Sequence, residues 1–315
     1  MMDILAILAT SGFWAATLRI ATPLIFATLG ELISERAGVL NLGIEGIMTI
    51  GAMSGWMWVY MGGDLVSGIF FAAFVGALFG LLHSLFTVYF GLSQHVTGIG
   101  ITMLASALAY FVFRMLLPDA TTPPKIVPFQ PLDIPGLSDL AFFGPAFFQQ
   151  TALTYAAILI VLPVWYILYR TPMGLALRMI GENPLAAEAQ GINVLAVRSG
   201  AVIIGSAFMA VGGAFLTMSA FDAFYFGMIN GRGWIAVALV IFASWRPGKA
   251  LFGALLFAGI DAWQVRLQQV PGVSIPYQFF LMAPYVLSIV AMIFISRKAR
   301  YPKSLLVPFR RGERT

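Results

Sequence analysis

Polar side chains that interrupt the long apolar stretches of this sequence are the first candidates for chemistry. Glu45 lies in a Gly-rich segment at 39–61, and Asn41 precedes it by four positions. A polar group inside an apolar bundle is costly to bury, so it usually faces a cavity or another polar group. We therefore predict a path for a polar solute, lined by Asn41, Glu45, Gln94, Thr97, Phe224, Asn230 and Trp234. The alternative for each residue is a structural role, as a helix cap or a hydrogen-bonding partner.

The second chemical feature is a polar stretch at 170–193, between two apolar segments. Asn183 is a good N-cap residue, and Pro184 suits the first helical position, where its missing N–H costs nothing. The residues that follow are mostly good helix formers, and Gly191 suits the left-handed position that ends a helix. The stretch predicts a short amphipathic helix lying across one face of the bundle. A soluble partner could bind such a helix; the alternative is a solvated helix without a partner.

Membrane-spanning helices are the elements expected to position these residues. Of the 315 residues, 60% are hydrophobic and only 10% are charged, whereas soluble domains carry roughly 25% charged residues. Because a spanning helix needs about 20 apolar residues, we predict an all-α polytopic membrane protein with about 8–10 transmembrane helices. The sequence contains no Cys, which excludes disulfides and thiolate metal sites.

The hydropathy pattern predicts that residues 1–315 form a single transmembrane domain. The predicted spans lie at about 12–33, 39–61, 66–90, 94–117, 151–169, 195–219, 232–245, 250–269 and 277–296. The many glycines of the second span predict a broken or re-entrant helix. Three segments are predicted to lie outside the membrane: an outer loop at 118–150, a cytoplasmic loop at 170–193 and a basic cytoplasmic tail at 297–315.

The positions of Lys and Arg indicate the orientation. Seven of the 18 lie in the last 19 residues. Because cytoplasmic loops carry an excess of basic residues, the C-terminus is predicted to be cytoplasmic. The tail is then expected near anionic lipid headgroups. This clustering explains the net charge of +5 without a nucleic-acid partner.

Small and polar residues inside the spans predict how the helices pack. Gly51 with Gly55, and Gly76 with Gly80, have the GxxxG spacing that lets helix backbones approach closely. His83 is expected to be a structural hydrogen-bonding residue within its helix.

Two segments carry a family resemblance. Residues 35–53 (ERAGVLNLGIEGIMTIGAM) and 173–194 (MGLALRMIGENPLAAEAQGINV) resemble the permeases of ATP-binding-cassette (ABC) importers for branched-chain amino acids, ribose and nucleosides. The first segment looks most like the simple-sugar and nucleoside branch. In the second, Ala186, Ala187 and Gly191 resemble the core of the loop that docks into the ATP-binding subunit. The resemblance implies a coupling role for Arg178, Gly181, Glu182, Asn183, Pro184, Ala186, Ala187 and Gly191.

The resemblance also implies a function and partners. The chain would be the permease subunit of an importer in the bacterial inner membrane, translocating a nucleoside or simple sugar that a solute-binding protein delivers. A second permease, either a paralogue or another copy, would complete the channel. The chain lacks a GxxxxGK[ST] loop, so ATP-Mg is expected on a separate ATPase subunit, with no cofactor, metal or enzymatic activity in this chain.

Three alternatives share parts of this pattern. A branched-chain amino acid permease and a stand-alone secondary transporter both fit the composition. An intramembrane enzyme fits less well, because His83 and His95 form no HExxH site and the sequence has no G-x-S-x-G.

Overall fold

The computed structural model describes residues 7–119, 122–268 and 301–310, together with residues 282, 286, 289 and 293. Within these residues the chain is helical, and strand pairing is limited to two isolated bridges. The helices are α1 (Ser11–Arg36), α2 (Ile44–Tyr60), α3 (Leu65–Ser84), α4 (Gln94–Leu116), α5 (Ala152–Leu159), α6 (Val161–Arg170), α7 (Pro172–Glu182), α8 (Pro184–Ala189), α9 (Val194–Phe215), α10 (Arg232–Phe242) and α11 (Pro247–Leu267). Short π-helical turns continue α3 and α9, at Leu85–Tyr89 and Leu216–Ala220.

Six helical segments in the described part of the chain are long and apolar enough to cross a membrane. They are α1, α3 with its π-turn, α4, α5 with α6, α9 with its π-turn, and α11. The predicted all-α polytopic membrane protein is confirmed. The predicted span at 277–296 lies largely outside the described residues.

Helices α1 and α9 form the centre of the bundle. In α1, 83% of the most apolar stretch is buried, compared with 28% in α3 and in α4. The two central helices touch where Gly30 meets Gly205, since a Cβ atom at either glycine would collide with the carbonyl oxygen of the other. Close backbone contact of this kind replaces the hydrophobic effect as the force that joins helices in lipid.

The two GxxxG pairs pack against the same central helix. A Cβ atom at Gly51 of α2 would collide with the backbone of Ala210 in α9. Gly76 and Gly80 of α3 approach Ser206 of α9 equally closely. The predicted close packing is therefore confirmed, and its partner is α9 for both pairs.

Two helices begin inside the bundle. The 39–61 segment, predicted to be a broken helix, is non-helical only at its start: residues 37–43 form a turn, and α2 then runs without a break from Ile44 to Tyr60, through its glycines. A second break was not predicted: the segment at 232–245 forms an 11-residue helix, α10, preceded by a non-helical stretch at 221–231. Such half-helices leave backbone N–H groups unpaired inside the bundle, and these groups need other partners.

The predicted loop at 118–150 is mostly irregular where it is described. It contains a π-helical turn at Gly144–Phe148 and is held to the rest of the chain by bridges from Lys125 to Ala223 and from Pro131 to Thr151. Lys125 also pairs with Asp222, with 3.2 Å between Nζ and Oδ2. The loop therefore packs against the segment that leads into α10.

Candidate functional site

The two half-helices meet at Glu45. This residue lies in the first turn of α2, and its carboxylate accepts hydrogen bonds from the backbone N–H groups of Gly231 (2.7 Å) and Gly233 (2.8 Å). Both donors belong to the N-terminus of α10, the positive end of that helix dipole. Half-helix ends that meet inside a bundle form solute sites in many transporters. The carboxylate therefore joins two broken helices at the place where a solute site is expected.

Asn230 and Gly231 turn the chain into α10. Both residues have positive φ angles, 51° and 78°, and Asn and Gly tolerate this left-handed conformation better than other residues. Asn230 is exposed and Trp234 is 41% exposed, while Glu45 is half-buried. Three of the seven predicted path residues therefore lie at one partly accessible place.

Asn41 and Gln94 stabilise the non-helical break between α1 and α2 through side-chain hydrogen bonds. The Asn41 side chain accepts from the Gly43 N–H (3.0 Å) and donates to Ser206 Oγ (3.0 Å). The Gln94 carbonyl oxygen accepts from the Leu40 N–H at 2.7 Å. Both side chains are buried, so they replace the helical hydrogen bonds that the break removes.

Buried carboxylates of α1 complete this bracing. Glu31 Oε1 accepts from the Asn41 N–H at 2.8 Å, and Glu35 Oε2 accepts from Trp245 Nε1 at 2.6 Å. His83 Nε2 lies 3.2 Å from the Leu40 carbonyl oxygen. The predicted structural role is therefore found, but the partner lies in the break before α2 and not within the helix of His83. The contribution of Trp245 was missed, because no local pattern links it to Glu35.

Phe224 and Thr97 lie apart from the Glu45 site. Phe224 is fully buried and packs against Phe113, with 5.3 Å between ring centroids. Thr97 lines a shallow apolar depression on α4, together with Val96 and Leu104. The structure thus distributes the predicted path residues over four separate places: the Glu45 site, the braced break, the core around Phe224 and the depression at Thr97.

The predicted helix of the 170–193 loop is confirmed as α8. Asn183 caps it by accepting from the Ala186 N–H (3.0 Å), and Pro184 occupies the first turn. Gly191 has a φ of 80° and donates to the Glu188 carbonyl, and Ile192 donates to the Ala187 carbonyl. These two bonds form a Schellman motif, which ends the helix.

The predicted coupling residues divide into exposed and buried groups. Glu182, Asn183, Ala186 and Gly191 are exposed, whereas Ala187 is buried against the bundle and Pro184 is half-buried. Together the exposed residues form an accessible face on α8 and its two ends.

Gly181 and Arg178 fix the base of the loop on α7. A Cβ atom at Gly181 would collide with the Arg36 carbonyl oxygen at the end of α1. The Arg178 guanidinium lies 5.1 Å from the ring centroid of Tyr169, within the range of a cation–π contact. These contacts hold α7, and therefore the start of α8, against the bundle.

Comparison with known proteins identifies the family. Residues 13–296 match the family described as the permease component of branched-chain amino acid transport systems. The chain belongs to this family. It is the membrane-spanning permease subunit of an ABC importer, as the two sequence segments indicated.

Named relatives of the permease align over most of its length. It is 36% identical to the guanosine ABC transporter permease protein NupQ of Bacillus subtilis, over 99% of this chain and 100% of the relative. It is 37% identical to the nucleoside ABC transporter permease protein NupC of Lactococcus lactis, over 90% and 92%. It is 38% identical to the putative glucose ABC transporter permease protein TsgC13 of Haloferax volcanii, over 88% and 87%. No solved structure matches the permease.

Proposed function

We propose that the permease imports a nucleoside or a simple sugar, delivered by a solute-binding protein outside the membrane. The observation that carries this proposal is the meeting of two half-helices at Glu45. A carboxylate is a strong acceptor for the hydroxyl groups of such a solute. The names of three relatives, for guanosine, nucleosides and glucose, support a hydroxylated substrate.

Within this class, the neighbours of Glu45 favour a nucleoside. Trp234 follows Gly233 in the first turn of α10 and is 41% exposed, and stacking of a base on an aromatic ring contributes about 1–3 kcal/mol. A simple sugar would use the carboxylate but would gain less from the indole ring.

A branched-chain amino acid is the second candidate, because the family description names that class of solute. Its carboxylate would have to approach Glu45, and like charges repel strongly where water is scarce. The N-terminus of α10 would be the natural partner for a substrate carboxylate, but Glu45 already occupies it. The hydroxylated solute is therefore the better fit.

The exposed face of α8 is the proposed contact for a separate ATP-binding subunit. It carries the polar residues Glu182 and Asn183 beside the small residues Ala186 and Gly191, which leave room for a partner to approach. In this arrangement α8 and the C-terminus face the cytoplasm of a bacterial cell. A second permease, either a paralogue or another copy, forms the other half of the channel.

Uptake into proteoliposomes tests the proposal. The complex would be purified through a tag on this permease, reconstituted with the solute-binding protein, and offered labelled guanosine, glucose or leucine. We expect ATP-dependent uptake of guanosine that is lost in Ala187→Arg, because this buried position of α8 cannot hold a charged side chain. Uptake driven by an ion gradient, with no ATPase in the purified complex, would instead identify a secondary transporter.

A further inference from the structure

The C-terminal segment at 301–310 lies against the base of α8. The Ser304 N–H donates to the Gly181 carbonyl oxygen at 2.9 Å, and the buried Ser304 hydroxyl lies 2.8 Å from the carbonyl oxygens of Ile180 and Gly181. Ile180 and Gly181 are in the last turn of α7, just before the cap of α8. This part of the basic tail is therefore bound to the protein, whereas the sequence alone favoured lipid headgroups as its surroundings.

Arg198 holds this contact in place. Its side chain is 1% exposed and lies in the second turn of α9. The guanidinium donates to the Ala37 carbonyl (3.0 Å), the Val307 carbonyl (3.0 Å) and Ser304 Oγ (3.1 Å). A buried cation is tolerated only when its hydrogen bonds are satisfied. Arg198 thus links the end of α1, the start of α9 and the C-terminal segment.

Phe309 extends the contact to α8 itself. It packs in an apolar cluster with Ile180, Ala187 and Val194. Cavities lie on both sides of α8, and Phe309 lines each of them. One cavity, of about 300 Å³, lies between Asn183 and Lys303; the other, of about 210 Å³, lies beside Glu188. The C-terminal segment is therefore one wall of the surface that surrounds α8.

We propose that α8 and residues 301–310 form one composite docking surface for the ATP-binding subunit, with Arg198 as the residue that positions its two parts. This inference rests on the proposed function. Leu306 and Val307 are 41% and 46% exposed, and they lie on a segment that is bound to the base of α8 and continuous with its exposed face. A protein partner that covers α8 would bury these apolar side chains, which favours their inclusion in the interface.

The surface is tested with the double variant Leu306→Asp/Val307→Asp in the complete transporter. Both side chains are partly exposed, and the melting temperature of the double variant shows whether the fold is retained. We expect about a tenfold loss of affinity between the permease and its ATP-binding subunit, as for charges placed in an apolar interface, and a matching loss of uptake. Gly248→Asp is the control, since Gly248 lies outside this surface, is exposed in the first turn of α11, and a Cβ atom there meets no neighbouring atom. Wild-type affinity and uptake in the double variant would overturn the proposal.

The positioning role of Arg198 is tested by Arg198→Gln, with exposed Arg246→Gln as the control. We expect the ATP hydrolysed per solute imported to rise about fivefold, because α8 and the C-terminal segment no longer move together. A purely structural role would lower the amount of transporter but leave this ratio unchanged, and that result would reject Arg198 as the positioning residue.

The Ala187→Arg variant separates this inference from the proposed function. If Ala187→Arg retains uptake, the coupling role of α8 is wrong and the composite surface fails with it. If Ala187→Arg loses uptake but Leu306→Asp/Val307→Asp does not, only the composite surface is wrong.

Discussion

The α8 loop and the Glu45 site differ in how they are held together. In α8, the cap and the helix end involve residues that lie within five positions of one another, such as Asn183 with Ala186 and Ile192 with Ala187. At the Glu45 site, the carboxylate binds backbone groups more than 180 positions away, at Gly231 and Gly233. A locally specified helix can present a constant face to a partner, while a site built from distant segments can open or close when those segments move.

The largest effect is expected at the long-range site, in Glu45→Ala. The change leaves the N–H groups of Gly231 and Gly233 without their acceptor, at a cost of about 3 kcal/mol of unfolding free energy. Unfolding in detergent–SDS mixtures measures this loss. Glu45→Gln keeps one acceptor oxygen and should lose about half as much stability, while guanosine uptake falls to background. Equal stability of wild type and Glu45→Ala would contradict the assigned hydrogen bonds.

Gly181→Val is expected to have the next largest effect, and it tests a place where the α8 loop depends on a distant segment. The added side chain collides with the Arg36 carbonyl, and overpacking of this kind costs about 1–3 kcal/mol. We expect a lower melting temperature and loss of ATP-dependent uptake. Gly200→Val in α9 is the control, since a Cβ atom there meets no neighbouring atom. If both variants behave alike, the close contact at Gly181 is not important.

A smaller effect is expected when the local cap of α8 is removed in Asn183→Ala. Loss of an N-cap costs about 1 kcal/mol, and here it falls on a six-residue helix. Hydrogen exchange of the Ala186 amide should become faster, with little change in the melting temperature of the whole protein. Asn183→Asp retains the acceptor and should protect that amide as the wild type does. Unchanged exchange in Asn183→Ala would mean that packing alone maintains α8.

The smallest effect is expected in Thr97→Val. Thr97 lies in a depression of α4 and outside the Glu45 site, so the change should alter stability by less than about 0.5 kcal/mol. Guanosine uptake should stay within about twofold of wild type, assayed in parallel with Glu45→Gln. A loss of uptake as large as that of Glu45→Gln would restore Thr97 to the solute path.

The sequence predicted the two regions unequally. For α8, the cap, the proline and the terminal glycine could be read within ten residues, and each of them is found in its predicted place. For the solute path, the residue types indicated which side chains are polar or aromatic within the bundle, but the sequence did not show which of them lie together in space. Asn230 and Trp234 lie beside Glu45, whereas Asn41 and Gln94 brace a chain break and Phe224 is packed in the core. Nothing in the local sequence distinguishes these roles.

The contacts of the C-terminal segment could not be predicted from the local sequence either. Its basic composition indicated a tail near lipid, because charge alone carries no information about which backbone groups it will meet. The contacts of Ser304 with Gly181 and of Arg198 with Val307 join positions more than 100 residues apart.

The sequence by itself determined the all-α membrane class, most of the long apolar helices, the short helix α8 and the family, because hydropathy, capping and motif spacing act over a few residues. The tertiary structure alone decided that α10 is a half-helix capped by Glu45 and that residues 301–310 line the surface around α8. The physical reason is that an unpaired N–H or carbonyl inside the bundle must find a partner wherever the packed helices bring one. In this permease those partners come from distant parts of the chain.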